Sequence, residues 1–208
     1  MTGVTHKQFS ICGAFIVGIL LYWTGLTQID YFLSLPILIL VSKYGGLFPD
    51  IDHEWEYIKD KTIPNRIFNF LIHLTRGKHR SWQTHSIDIA VLSLMVGLFL
   101  PGLLYNNHLI SLVNKEVMSI ILLGFSSGWL SHLFSDMLTP SGVRVLCFLK
   151  FKLALVPRKF LVIKFSTGSE WEGIVYRVIR IVNIVLGVIC LIVPFILPGH
   201  YHNILFGG

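Results

Sequence analysis

Five long apolar stretches constrain the fold of this chain more than any other feature of its sequence. Each is about the length that an α-helix needs to cross the hydrocarbon core of a bilayer. Only 13% of the 208 residues are charged, whereas soluble domains carry about 25%. The sequence therefore predicts an all-α polytopic membrane protein with one domain over residues 1–208, and it argues against an ordinary cytosolic enzyme. The expected spans are Phe9–Leu26, Tyr31–Phe48, Ile87–Tyr105, Val117–Phe134 and Ile174–Leu197.

The basic residues predict how these spans are oriented. Of the 17 Lys and Arg residues, 16 lie in segments or at span ends that share one side of the membrane, and only Lys115 lies on the other. Loops rich in Lys and Arg stay in the cytoplasm, so we expect the N-terminus and the loops 49–86 and 135–173 there. Topology accounts for the net charge of +6, and the expected partner is membrane lipid, not nucleic acid.

Each cytoplasmic loop carries a secondary-structure pattern. In the first loop, Pro64 precedes apolar residues at helical spacing, which predicts a short amphipathic helix that ends near Gly77. In the second loop, apolar and basic residues alternate over 149–153, and a turn at Pro157 precedes the apolar run 160–165. This pattern predicts a small β-hairpin at the membrane interface.

Histidine and aspartate residues collect where the predicted spans meet the cytoplasmic side. Ionisable residues at such positions are candidates for function because burying them in lipid is costly. Imidazole and carboxylate without thiolate suit zinc, manganese or iron, and seven donors exceed the four that one tetrahedral zinc takes. We therefore expect zinc, with manganese or iron as alternatives, and two or more ions. The candidate ligands are His6, Asp50, Asp52, His79, His85, His132 and Asp136.

Two of these pairs also have an ordinary structural explanation. His132 and Asp136 are four residues apart, so they share a helix face and could hold either a metal or a hydrogen bond at the helix end. Asp50 and Asp52 lie in the turn that follows the second span, where aspartate also serves local backbone hydrogen bonds. Neither pair by itself decides between these readings.

The third histidine segment needs a loop to bring its residues together. His79 and His85 are six residues apart and would face nearly opposite ways on a continuous helix. Asp88 follows His85 by about one turn. It is either a hydrogen-bond acceptor that orients the imidazole of His85 or an acidic residue at the membrane interface.

The motifs around these residues run in order along most of the chain. They are Thr5-His6, Leu47–His53, His79-Arg80 with Thr84-His85-Ser86, Gly128–His132, Asp136–Gly142 and, more weakly, Thr167–Glu172. With these motifs the chain resembles the YdjM-like family of membrane-bound metal-dependent hydrolases, which includes LexA-regulated proteins of the bacterial inner membrane. The histidine motif H-R-S-W-Q-T-H-S is one residue longer than the family's H-R-G-x-T-H-S.

The resemblance implies a location, a site and a chemistry. The location is the bacterial inner membrane, and the site is a cytoplasm-facing metal centre formed by the seven candidate ligands. Distant kinship with zinc-dependent phospholipase C implies phosphoester chemistry. The resemblance also places Glu172 in support of the site.

Two functions are compatible with these features. The first is a hydrolase of a phospholipid or other phosphoester, in which Asp50, His85 and Asp136 are catalytic. The second is a non-catalytic metal protein, either a transporter or a protein stabilised by its metal. Transport sites usually lie near the midplane of the bilayer, so ligands at one face favour the hydrolase. Basic residues would hold the anionic head group, although attraction to anionic lipid also explains them; they are Arg80, Lys150 and Lys152.

Overall fold

Five helices and one short sheet form the part of the chain that the structure describes. The computed structural model describes residues 1–23, 28–52, 83–149, 151–155 and 168–196. All five helices are long and apolar enough to cross a membrane, which confirms the predicted fold class. The helices are α1 (Gly3–Trp23), α2 (Gln28–Leu47), α3 (Ile87–Asn106), α4 (Leu112–Met137) and α5 (Glu170–Ile196), and the 3-10 turn Phe48–Asp52 follows α2.

The first helix begins earlier than the apolar pattern predicts. The expected span starts at Phe9, but α1 starts at Gly3 and therefore carries His6 in the helix. The added turns are polar, yet Thr5 and His6 are buried against the other helices. Because these two side chains face protein instead of lipid, the helix can extend beyond the apolar run; the exposed Lys7 lies near the helix start, where its ammonium group can reach the membrane interface.

The helix α4 occupies the centre of the bundle. It packs against α1, α2 and α3, while α5 packs against the other side of α1. The outer faces of the helices expose large apolar side chains, among them Leu98, Phe99 and Phe195. An exposed apolar surface of this extent is unusual for a soluble monomer, and it matches a bundle surrounded by lipid.

Glycines allow α2 and α4 to approach until their backbones touch. A Cβ atom on Gly45 would collide with the carbonyl group of Phe125, and one on Gly128 would collide with the carbonyl oxygen of Ser42. Small residues permit this kind of close helix contact in membrane proteins. The contact brings the last turn of α2 directly against the part of α4 that leads to His132.

The small predicted sheet is present, but its observed strand pairing was not expected. Strands β1 (Val143–Arg144) and β2 (Lys152–Leu153) are antiparallel, and Arg144 lies opposite Lys152. β2 falls within the alternating segment 149–153, as predicted. The expected partner strand at 160–165 and the expected loop helix at 64–77 lie outside the described residues.

Candidate metal centre

Five of the seven candidate ligands converge at one end of the helix bundle. His6 lies in the first turns of α1, Asp50 in the turn after α2, and His85 just before α3. The last two turns of α4 contribute His132 and Asp136. The side chain of Asp52 and the whole of His79 lie outside the described residues.

The donor atoms of this cluster face one another at nearly equal distances. Nε2 of His132 lies 3.7 Å from Oδ1 of Asp50 and 3.7 Å from Oδ2 of Asp136. Nε2 of His6 lies 3.7 Å from Oδ1 of Asp136, and Nε2 of His85 lies 3.8 Å from Oδ2 of Asp136. Two groups of three can be recognised: a first donor group of His6, His132 and Asp136, and a second donor group of Asp50, His85 and His132.

A backbone hydrogen bond fixes the orientation of the His132 ring. Its Nδ1 lies 2.7 Å from the carbonyl oxygen of Gly46, and because a carbonyl can only accept, Nδ1 carries the proton. In the neutral ring Nε2 then presents a lone pair. This atom is buried and has no hydrogen-bond partner among the described residues, while two carboxylate oxygens face it.

His6 is held in the same way by a side chain of α4. The hydroxyl of Ser135 donates to the carbonyl oxygen of His132 at 2.8 Å, so it accepts at its oxygen from Nδ1 of His6 at 2.5 Å. This arrangement directs the lone pair of His6 Nε2 towards Asp136. The rings of His6 and His132 stack with their centres 3.7 Å apart.

The segment that carries His85 is attached to α4 and to β1. Nδ1 of His85 lies 2.9 Å from the hydroxyl of Thr84, and the indole of Trp129 donates to the carbonyl oxygen of Thr84 at 2.8 Å. The amide of Arg144 donates to the carbonyl oxygen of His85 at 3.3 Å. These bonds place the imidazole of His85 edge-on to that of His132.

The chemistry of these donors fits a divalent cation. Neutral imidazole nitrogens and carboxylate oxygens are all electron-pair donors, and a cation between them removes the repulsion that they would otherwise feel. Ligand atoms of a tetrahedral zinc lie about 3.4 Å apart, close to the observed 3.7 Å between His132 and Asp136. Asp136 is 1% exposed, and burying a carboxylate is costly without compensating positive charge.

The arrangement of motifs in the sequence matches one protein family over nearly the whole chain. The model of the family described as YdjM inner membrane protein matches residues 1–201. The chain belongs to this family. The match confirms the family predicted from the histidine and aspartate motifs and makes the chain a membrane protein. No curated protein and no solved structure matches the YdjM-family chain significantly.

Asp88 of this YdjM-family protein joins the start of α3 to the segment that follows β1. Its carboxylate accepts hydrogen bonds from the amides of Ile89 and Cys147, both at 2.9 Å. It also accepts from the thiol of Cys147, and this hydrogen bond raises the pKa of the thiol above its ordinary value. The hydrogen bond to the His85 ring comes from Thr84, which the sequence analysis did not select.

Glu172 fastens the start of α1 to the start of α5. Its Oε1 accepts hydrogen bonds from the backbone amide and hydroxyl of Thr2 and, at 2.8 Å, from the hydroxyl of Thr5. Its Oε2 accepts from the amide of Gly168 at 2.7 Å. Since Thr5 is the neighbour of His6, this carboxylate helps to hold that imidazole in the cluster.

The Glu172→Gln variant is expected to bind zinc about tenfold more weakly, as is typical when the residues that orient metal ligands are changed. Glutamine keeps the size of the side chain, but one of its two terminal groups can no longer accept hydrogen bonds. Zinc affinity of the purified protein, measured by competition with a chelator, tests this. Glu170→Gln removes an exposed carboxylate from the same turn and should leave affinity unchanged; equal affinities in both variants would contradict the role of Glu172.

Of the three predicted substrate-binding residues, Lys152 lies among the residues that the structure describes. Lys152 is exposed on β2. It lies at the same end of the helix bundle as the cluster, because β2 pairs with β1 and β1 forms a bridge with Ser86, the residue after His85. Arg80 and Lys150 lie outside the described residues. The sequence analysis missed Gly46, Ser135 and Thr84, whose hydrogen bonds orient the imidazoles.

Proposed function

We propose that this YdjM-family protein is a metal-dependent hydrolase of a phospholipid or other phosphoester. The observation that carries the proposal is the convergence of three imidazoles and two carboxylates, with Nε2–carboxylate distances of 3.7 to 3.8 Å, at one end of an apolar bundle. We further propose that the chain spans the membrane several times and that this end, with the N-terminus, faces the cytoplasm. The asymmetry of the basic residues supports that orientation.

Metal binding is assigned to the two donor groups. The first donor group is fully buried, whereas the second includes Asp50, whose side chain is 35% exposed. The groups share His132, and because its Nδ1 is protonated, its single lone pair on Nε2 can hold only one ion common to both groups. A second ion would take its ligands from the remaining candidates, Asp52 and His79. Zinc is the first choice, with manganese or iron as alternatives. When bound, such an ion acts as a Lewis acid on a phosphoryl oxygen and lowers the pKa of water.

The exposure of Asp50 distinguishes its proposed role from the roles of the buried ligands. His85, His132 and Asp136 are at most 3% exposed at their side chains, so substrate and water reach the cluster past Asp50. We assign to its carboxylate the removal of a proton from the attacking water. His85 and Asp136 are more deeply buried than Asp50, and we assign to them the holding of the metal and of the geometry of the centre.

The apolar surroundings of the site favour a substrate that approaches from the membrane. A hydrophobic core that includes Trp129, Leu133 and Val143 lies beside the cluster, since Leu133 follows His132 in α4, and apolar side chains there keep water away. Lys152, with Arg80 and Lys150, is the proposed contact for an anionic head group. Attraction of these side chains to anionic lipid in general remains the competing explanation.

A turnover assay on detergent-purified protein tests the proposal. We expect hydrolysis of bis-p-nitrophenyl phosphate or of a short-chain phospholipid in the presence of zinc or manganese, and its loss after chelation. Asp50→Asn should lower turnover about 100-fold, the typical contribution of a general base, while the first donor group still retains metal. Glu170→Gln serves as a control with wild-type turnover. An inactive wild type that binds metal tightly would instead indicate a structural metal.

A further inference from the structure

The basic residue Arg144 lies beside the cluster but was not among the sequence-predicted site residues. Its amide donates to the carbonyl oxygen of His85, and the residue forms a parallel bridge with Ser86. Bridged strand segments lie about 4.8 Å apart. The backbone of Arg144 is therefore one strand spacing from the segment that carries His85.

Among the described residues, the guanidinium of Arg144 has no anionic partner, although a partly buried arginine normally has one. Its Nε is buried and makes no hydrogen bond within the described part of the chain, and no carboxylate of that part forms an ion pair with it. The nearby carboxylate of Asp88 is occupied by the backbone amides of Ile89 and Cys147. Burying a charged group without a partner is costly. A bound anion would offset this cost for the guanidinium of Arg144.

A second cation lies directly across the sheet from Arg144. In the register of β1 and β2, Arg144 is opposite Lys152, and residues directly opposite each other project from the same face of a sheet. Like charges in such a pair destabilise the sheet. An anion bound between the two side chains would reverse that effect.

We propose that Arg144, together with Lys152, binds the phosphate group of the substrate at the edge of the metal centre. The inference rests on the proposed function, since it assigns the contact that would hold a phosphoester next to the cluster. The planar fork of a guanidinium matches the oxygens of a phosphate in a bidentate way, and Lys152 adds a point charge. A phospholipid and a soluble phosphate ester share this group.

Calorimetric titration of inorganic phosphate into the zinc-loaded protein tests the site without any need for turnover. Arg144→Gln should weaken phosphate binding about tenfold or more, because it removes charge-assisted hydrogen bonds. Arg144→Lys keeps the charge and should lose less. Arg177→Gln removes an exposed arginine from α5 and should bind phosphate as the wild type does. Zinc content is measured in every variant.

A second substitution keeps the test decisive if Arg144→Gln fails to fold. Lys152 is exposed, so Lys152→Gln is expected to fold normally and to weaken phosphate binding about threefold, as loss of one surface charge would. Wild-type affinity in Lys152→Gln and in any folded Arg144 variant overturns the site, as does a wild type that binds no phosphate. Titration of dihexanoyl phosphatidic acid in parallel identifies the source: tighter binding than that of inorganic phosphate indicates a lipid.

Failure of the hydrolase and failure of the phosphate site give different results. Phosphate binding that depends on Arg144, without any turnover by the wild type, would contradict the hydrolase and support the site. Turnover by the wild type, with phosphate affinity unchanged in Arg144→Gln, would support the hydrolase and overturn the site.

Discussion

Replacing His132 with asparagine is expected to lower the affinity for zinc by more than about 100-fold and to abolish turnover. His132 is the one ligand that both donor groups share, so its loss disrupts each of them. Even residues that only orient a ligand change metal affinity about 10–100-fold, and a shared ligand should exceed that. Asparagine can still donate to the carbonyl oxygen of Gly46, which keeps this contact between α2 and α4 while removing Nε2.

The matched control is His108→Asn, at the opposite end of the bundle. His108 is exposed and has a positive φ of 58°, a conformation that asparagine tolerates well. Zinc content by mass spectrometry and affinity by chelator competition should match the wild type in this variant. Undiminished zinc binding in a folded His132→Asn protein would rule out the metal centre assigned to this cluster.

Hydropathy identified the apolar spans. Each span could then be predicted to be a helix, because a chain in lipid must satisfy its backbone hydrogen bonds within the span. The end of an apolar run also marks where a side chain leaves the hydrocarbon. That is why His85, His132 and Asp136 could be placed at one level from the sequence alone. The same rule missed the early start of α1, since His6 is polar yet buried against protein, and hydropathy does not distinguish protein from water.

The partners that orient the imidazoles could not be predicted because they depend on contacts between distant segments. The carbonyl oxygen of Gly46 reaches His132 across 86 positions of sequence, and Ser135 reaches His6 across 129. The sequence around a serine or a glycine contains no pattern that predicts a contact with such a distant residue. The role of Glu172 was expected only from the family resemblance, and its hydrogen bonds to Thr2 and Thr5 give that expectation a physical form.

The hydrogen bond between Gly46 and His132 depends on how closely α2 and α4 approach. At Gly128 a Cβ atom would lie 2.8 Å from the backbone nitrogen of Gly46 and closer still to the carbonyl oxygen of Ser42. Both neighbours are backbone atoms of a helix, so neither can rotate out of the way as a side chain would. Relief requires the two helices to separate, and separation pulls the carbonyl of Gly46 from Nδ1 of His132.

Gly128→Ala is therefore expected to destabilise the protein by about 3 kcal/mol or more, at the upper end of the cost of overpacking, and to weaken zinc binding with it. Thermal unfolding in detergent, with and without zinc, measures both effects. The control Gly173→Ala adds the same methyl group where no atom lies within 4 Å, so it should be neutral or slightly stabilising because alanine favours the helix. If Gly128→Ala unfolds at the wild-type temperature and binds zinc normally, the contact between α2 and α4 does not hold His132 in place.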